Sequence, residues 1–346
     1  MVKIRSLDSM KHYIEQIRKR QNLSRPEIEN VMQSMMSGQA ANEDIAAFLL
    51  ALNEKGPTID EITGAALIMR RFCTEVKTKQ EVVLDTCGTG GDQMNTFNIS
   101  TVTAFVVAGA GVVVAKHGNR SVSSQCGSAD ILEALGVNIM KDEKYLSQCL
   151  DEVGMAFLFA QRLHPAMKNV ASVRKQLGVK TIFNILGPLT NPAKATHQMM
   201  GVYHRDLVEP LTHVLKNLGL RRALVVYGND GLDEITTTTT TFVGEFNGRE
   251  VITYTVDPLE LGIKRAKPED LKGGDLKTNV RIVNDILEGK DGLKRDIVLL
   301  NAAYALYIAQ KADSVQRGLE LARRSLDSGS AKKKLEQLKE FTTHVR

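Results

Sequence analysis

Between residues 85 and 101 the chain reads Asp-Thr-Cys-Gly-Thr-Gly-Gly-Asp-Gln-Met-Asn-Thr-Phe-Asn-Ile-Ser-Thr. Gly88, Gly90 and Gly91 let the backbone curl so that several N–H groups converge on one anion. Ser100 and Thr101 stand where a helix would begin, and a helix N-terminus adds the positive end of its dipole. The chemistry expected here is phosphate binding, with Asp92, Asn98, Ser100 and Thr101 as the polar side chains in reach. A tight strand-to-helix turn would use the same glycines, so the motif needs company before it means more.

Two further groups supply that company. After the apolar run Val112-Val-Val-Ala115 comes Lys116-His-Gly-Asn-Arg-Ser-Val-Ser-Ser124, then Gly127-Ser-Ala-Asp130. These thirteen residues hold two cations, one histidine, four hydroxyls and two glycines, a composition suited to a phosphate cradle. Lysine and arginine are most often simply solvated, but a loop that leaves a buried strand with nothing to offer a core suits a ligand better. The third group is Tyr227-Gly-Asn-Asp230-Gly-Leu-Asp233-Glu234, again behind an apolar run. Asp-Gly alone is a common turn. Beside two anion loops, unneutralised carboxylates would repel the substrate. A bridging Mg2+, bound by carboxylates, waters and phosphate oxygens, removes that conflict.

Three such loops must be carried by strands whose ends line up. From residue 82 the pattern alternates short apolar strands (82–84, 112–115, 155–160, 223–227, 251–256) with helices that include 101–110, 129–135 and 207–218. That alternation predicts a parallel sheet covered on both faces, with ligands outside the carboxyl ends of the strands. The run Ile297–Ala312 is apolar nearly all round and reads as a buried helix. Residues 1 to about 75 read as helices only: Ser24-Arg-Pro-Glu27 and Thr58-Ile-Asp-Glu61 are capping boxes, and Ile45, Phe48, Leu49 and Leu52 recur at helical spacing. The fold class expected is α/β: a small N-terminal all-helical domain (1–75), then a larger α/β domain (80–346) with a mostly parallel central sheet flanked by helices.

Bulk composition narrows the function. The 346 residues are 43% hydrophobic and 25% charged, with a net charge of +5 that suits an anionic substrate. The 45 basic residues are interspersed with 40 acidic ones, which argues against a nucleic-acid partner. Met1–Asp8 lacks the apolar core of a signal peptide, and the longest apolar stretch, Ala104–Ala115, spans only twelve residues, too few for a bilayer. Cys73, Cys87, Cys126 and Cys149 are far apart, favouring reduced thiols over a disulfide frame or zinc site. A cytoplasmic enzyme with no membrane partner is the expectation.

Taken in order, the motifs resemble the anthranilate phosphoribosyltransferase family. They are Gly88-Thr-Gly-Gly-Asp92 with Asn95-Thr-Phe-Asn-Ile-Ser-Thr101, Lys116–Ser124 with Gly127-Ser-Ala-Asp130, Thr181-Ile-Phe-Asn-Ile-Leu-Gly-Pro-Leu-Thr-Asn-Pro192, and Gly231-Leu-Asp-Glu-Ile235. The match runs over nearly the whole chain. It implies transfer of the 5-phosphoribosyl group from 5-phosphoribosyl 1-diphosphate to the amine of anthranilate, within tryptophan biosynthesis. It also implies that Gly88, Gly91, Asp92, Thr96, Asn98, Ile99, Ser100, Thr101, Lys116, His117, Gly118, Asn119, Arg120, Ser121, Val122, Ser123, Ser124 and Ser128 hold the phosphoribosyl donor. Ser100, Asp233 and Glu234 would ligate two Mg2+ ions per subunit. Gly88, Asn119 and Arg174 would contact anthranilate, whose carboxylate a guanidinium can bind bidentately. No single catalytic residue is implied; Lys116, Arg174, Asp233 and Glu234 orient and stabilise charge. By the same resemblance a helical segment near 164–182, which carries Arg174, completes the N-terminal bundle and places the acceptor between domains. A homodimer through the helical domain is likewise implied. His117 and His164 are equally open to structural or substrate-orienting roles.

Three positions leave the family pattern: Gln93 and Ser172 stand where glycine and proline are usual, and Lys180 where arginine is. None removes an expected ligand group. Three other readings fit less well. A pyrimidine nucleoside phosphorylase shares the architecture but would not need the Asp233-Glu234 pair. The ordinary phosphoribosyltransferase fold carries two adjacent acids after a strand, where Val83-Leu-Asp85-Thr-Cys-Gly has one. A non-catalytic nucleic-acid binder would show a basic stripe and no acidic pair.

Overall fold

The computed structural model describes residues 8–120 and 126–343. Contacts divide the chain into two compact units, Met1–Thr74 with Gln161–Thr190, and Glu75–Ala160 with Asn191–Arg346.

The first unit is built on α1 (Asp8–Arg18), α2 (Arg25–Met36), α3 (Asn42–Lys55) and α4 (Ile59–Arg71). Both capping signals are realised. Ser24 N–H donates to the Glu27 carboxylate at 2.7 Å, and Thr58 N–H donates to Glu61 at 2.7 Å while Glu61 N–H donates to Thr58 Oγ1 at 3.2 Å. Glu61 does more than cap. Fully buried, it also accepts from Leu23 N–H at 2.9 Å and Lys55 Nζ at 2.8 Å, tying the starts of α2 and α4 to the end of α3. α2 packs so closely on α4 that a Cβ on Gly64 would lie 2.6 Å from Ile28 Cγ2. The helical segment expected near 164–182 begins as a 3₁₀ turn, Pro165–Met167, continues as the helix Lys168–Leu177 and ends at Gly178, φ +63°. Asn169 Nδ2 ties that helix to α2 by donating to the Met36 carbonyl at 2.7 Å.

The second unit holds β1 (Val83–Asp85), β2 (Val113–Gly118), β3 (Met155–Phe159), β4 (His197–Gly201), β5 (Arg222–Gly228), β6 (Thr241–Phe246) and β7 (Val251–Val256), in the spatial order β3-β2-β1-β4-β5-β6-β7. The first five run parallel and the last two antiparallel. Leu84 of β1 sits beside Val114 of β2 on one side and His197 of β4 on the other. Chain order therefore reverses between β1 and β4, which opens the crevice where α/β sheets bind ligands.

Two strands, β4 and β6, lie outside the sequence expectation, and β7 corrects the expectation of a parallel strand covered on both faces. It is an antiparallel edge, with Ile252 40% exposed, joined to β6 through Asn247-Gly248, a hairpin signal in which Gly248 takes φ +95°. Behind the sheet, α5 (Ile99–Gly109) and the helix Leu293–Ile308 pack together, and the latter also contacts β4 and β5. The run expected to be a buried helix, Ile297–Ala312, is helical as far as Ile308, with Ile297 through Leu306 buried throughout. No helix among the described residues is long and apolar enough to cross a membrane.

Candidate active site

The glycine-rich loop leaves β1 at the switch point. Gly90 and Gly91 take φ +63° and +81°, left-handed conformations that favour glycine. Thr89 N–H donates to the Gly201 carbonyl at 2.9 Å. A Cβ on Gly88 would stand 2.9 Å from that same carbonyl, and a Cβ on Gly201 only 1.5 Å from the Asp233 carbonyl. Backbone from the ends of β1 and β4 is thus stacked directly on the acidic segment that follows β5. Beyond Gly91, Gln93 and Asn95 adopt φ +60° and +54°. Asp92 accepts Met94 N–H at 3.2 Å, and the loop is pinned where Gly273 N–H donates to the Asn95 carbonyl at 2.9 Å and Thr96 bridges to Lys272.

Lys116, His117 and Gly118 correct a sequence expectation. They are not loop residues but the end of β2, paired with Phe157, Leu158 and Phe159, and Lys116 is only 2% exposed. Its stem serves the core while its ammonium reaches toward Thr86 and Ser100, with Nζ 3.3 Å from Thr86 Oγ1 and 3.4 Å from Ser100 Oγ. Asn119 and Arg120 are exposed at the strand's end. Arg120 is held by Asp130 at 2.8 Å and Glu133 at 2.6 Å. Ser128 Oγ donates to the Asn119 carbonyl at 3.3 Å. Ser121, Val122, Ser123 and Ser124 lie outside the described residues.

The third loop divides its acids between two tasks. Asp230 builds the turn: it accepts Leu232 N–H at 3.1 Å and Thr236 Oγ1 at 2.7 Å, around Gly231 at φ +98°. Asp233 and Glu234 face the other loops. Asp233 lies beside Gly90 and Asp92, and Glu234 lies beside Asp233 and Ser100 at the start of α5. Burial, then Asp92, pushes the Asp233 carboxyl upward; burial, then Asp233, does the same for Glu234, against the pull of Lys116. Three crowded carboxylates beside a serine hydroxyl form a hard, oxygen-rich donor set short of positive charge, which is the chemistry that Mg2+ satisfies.

The structure therefore brings Gly88, Gly91, Asp92, Asn98, Ser100, Lys116, Asp233 and Glu234 to one end of the sheet. Asn98 Nδ2 donates to the Cys126 carbonyl at 3.1 Å, and its buried Oδ1 has no partner among the described residues. Ile99 and Thr101, also expected at the site, are 2% and 1% exposed in the first turn of α5. Arg174 belongs to the first unit, half-buried with its guanidinium 5.1 Å from the Phe183 ring centroid. Burial lowers its pKa, and brings that of His164, in the same unit, down to about 4, so this imidazole is neutral at pH 7.

Sequence reasoning overlooked the residues that hold the loops in place. Fully buried Asp85 accepts N–H groups from Cys87 at 3.0 Å and His117 at 3.1 Å, and Asn191 Nδ2 at 2.7 Å. Asn191 also donates to the Ala115 carbonyl at 2.8 Å, so one clamp joins the ends of β1 and β2, where the first two loops begin. Its sequence signal was an acid closing an apolar strand, Val83-Leu-Asp85, where a solvated side chain is the default. Gly201 had none, because its reason lies in a distant backbone segment.

Comparison with known proteins agrees with this geometry. A glycosyl transferase family helical bundle domain matches residues 11–73, and a glycosyl transferase family a/b domain matches residues 80–332. Anthranilate phosphoribosyltransferase from Persephonella marina is 50% identical over 96% of this chain and 99% of its own length. The crystal structure of the Thermus thermophilus enzyme of that name superposes with a TM-score of 0.91 at 39% identity, covering 96% of this chain and 99% of that one. The Saccharomyces cerevisiae enzyme, in complex with PRPP (5-phosphoribosyl 1-diphosphate) and Mg, gives 0.90 at 26% identity over 98% and 99%. With 4-fluoroanthranilate it gives 0.88 at 25% identity, over the same shares. On full-length identity, on fold and on the order of its three loops, this chain belongs to the anthranilate phosphoribosyltransferase family.

Proposed function

We propose that the cluster at the β1/β4 switch point binds 5-phosphoribosyl 1-diphosphate with Mg2+, and that this is how the chain performs the reaction of its family. The reaction is transfer of the 5-phosphoribosyl group to the amine of anthranilate, giving N-(5-phosphoribosyl)anthranilate and diphosphate. The observation that carries the reading is the gathering of Asp92, Asp233 and Glu234 beside Gly90 and Ser100, with the Lys116 ammonium 3.4 Å from Ser100 Oγ. Their closeness supports reading as one site what the sequence presents as two loops.

The roles assigned to individual residues are those the family resemblance implies, and the chemistry of each residue suits its role. Gly88, Gly91, Asp92, Thr96, Asn98, Ser100, Lys116 and the segment through Ser128 would hold the donor, its phosphates drawn by backbone N–H groups, the start of α5 and the Lys116 ammonium. Ser100, Asp233 and Glu234 would hold Mg2+, two ions per subunit by family resemblance. Bound there, the metal would neutralise and polarise the leaving diphosphate. Arg174 and Asn119, with the Gly88 backbone, would take anthranilate; its aromatic amine is neutral at pH 7 and needs no strong base to attack the ribose C1. A cytoplasmic homodimer is the form the same resemblance suggests.

Anthranilate fluorescence offers the test. Mixed with 5-phosphoribosyl 1-diphosphate and Mg2+, the protein should consume the anthranilate signal, and omission of Mg2+ should slow or stop that loss. A signal that persists under all conditions would refute the assignment.

A further inference from the structure

Behind the acidic pair lies a buried carboxamide. Asn301 sits midway along the Leu293–Ile308 helix, fully buried, in a stretch whose neighbours are apolar apart from Tyr304. Its Oδ1 accepts Ile235 N–H at 3.0 Å, and its Nδ2 donates to the Ile235 carbonyl at 2.8 Å and to the Ile297 carbonyl at 2.8 Å. Every hydrogen-bonding group of the carboxamide except one acceptor lone pair is used, and both polar groups of a single residue, Ile235, are held at once. A carboxylate could accept but not donate, a leucine could do neither, and a longer carboxamide would not fit a fully packed site without displacing something.

Ile235 is also fully buried and directly follows Glu234. On the other side of the pair stand Gly90 and Ser100, and the Asn301 helix packs against α5, the helix that carries Ser100. The turn ahead of the pair does not depend on Asn301, since Asp230 closes it through Leu232 N–H and Thr236. We propose that Asn301 is a positioning residue for Asp233 and Glu234: by gripping the peptide behind them, it sets where their carboxylates present to Mg2+ and diphosphate. The proposal rests on the metal role given above to that pair. Removing such a support costs metal affinity even where the ligands themselves remain.

The test is calorimetric binding of 5-phosphoribosyl 1-diphosphate over a series of Mg2+ concentrations, with no acceptor present, for Asn301→Asp, Asn301→Ser, Val298→Ala and Glu234→Gln. Val298 is equally buried on the same helix and does not touch Ile235 through a hydrogen bond, so it matches loss of packing without loss of the grip. Both Asn301 variants should need about 10- to 100-fold more Mg2+ for half-saturation, while Val298→Ala keeps the parent's requirement. An unchanged requirement in folded Asn301 variants, or an equal shift in Val298→Ala, would overturn the proposal. So would failure of both Asn301 variants to fold, which would mark Asn301 as a fold residue only. Glu234→Gln separates the two readings: if it leaves the Mg2+ requirement unchanged, the metal role of the pair fails, whatever the Asn301 variants do.

Discussion

Gln93 and Asp85 each occupy a position their side chain does not favour, and each makes a measurable claim. Gln93 sits at φ +60°, a left-handed conformation that costs an L-residue other than glycine about 1–2 kcal/mol. The family habit of glycine there has its physical reason in this backbone, and this chain tolerates the strain with Asp92 closing the turn onto Met94. Gln93→Gly should be at least as stable as the parent, and Gln93→Val, β-branched at the same φ, about 1–2 kcal/mol less stable than the glycine variant by urea unfolding. Equal stabilities would remove the strain argument. Asp85 is raised from its ordinary 3.8 to about 6, by burial first, against the pull of Lys116, the Asn191 amide and two N–H groups. An acid whose folded pKa is raised keeps its proton in the folded chain where the unfolded chain has lost it, so stability falls as pH climbs from about 4 to about 6 and levels off above. Across that window the parent should lose up to about 3 kcal/mol relative to Asp85→Asn. Unfolding at stepped pH reads the difference, and parallel curves for the two proteins would contradict it.

Among the elements, β4 decides the site, because it creates the switch point with β1 and brings Gly201 beneath Asp233. Gly201→Ala places a methyl where the Asp233 carbonyl now lies. It should cost about 1–3 kcal/mol of stability through overpacking, and should weaken Mg2+-dependent turnover by more than Gly219→Ala, an exposed control itself strained at φ +83°; equal turnover in both would show that the close approach carries no function. The loops after β1, β2 and β5 were legible because their residue types, glycines, cations and paired acids, make poor core and good ligands. β4 was not: His-Gln-Met-Met-Gly has no β-branched residue and begins with two polar ones, yet all five are buried between neighbouring strands. β2 ran longer than expected because Lys116 and His117 look solvated in sequence, whereas in the fold the lysine stem is buried and the charge meets Thr86 and Ser100. Asn301 was hidden in the same way, as one polar letter in an apolar run whose partner, Ile235, lies on another element.

Over the whole molecule, each unit rests on a buried carboxylate gripped by donors from several segments: Glu61 in the helical unit, Asp85 in the α/β unit. Glu61 organises helices, while Asp85 sets the starting points of two loops at the site. The modest excess of positive charge, +5 over 346 residues, suits an anionic donor without making the surface a polyanion binder. The proposed chemistry depends above all on Asp233 and Glu234 binding the metal that makes diphosphate a leaving group. The initial rate of anthranilate fluorescence loss as a function of Mg2+ concentration, at saturating 5-phosphoribosyl 1-diphosphate, reads that dependence. Asp233→Ala and Glu234→Ala should each weaken Mg2+-dependent turnover relative to the parent while unfolding as cooperatively as it does. A Mg2+ dependence unchanged in both variants would show that the pair does not hold the metal.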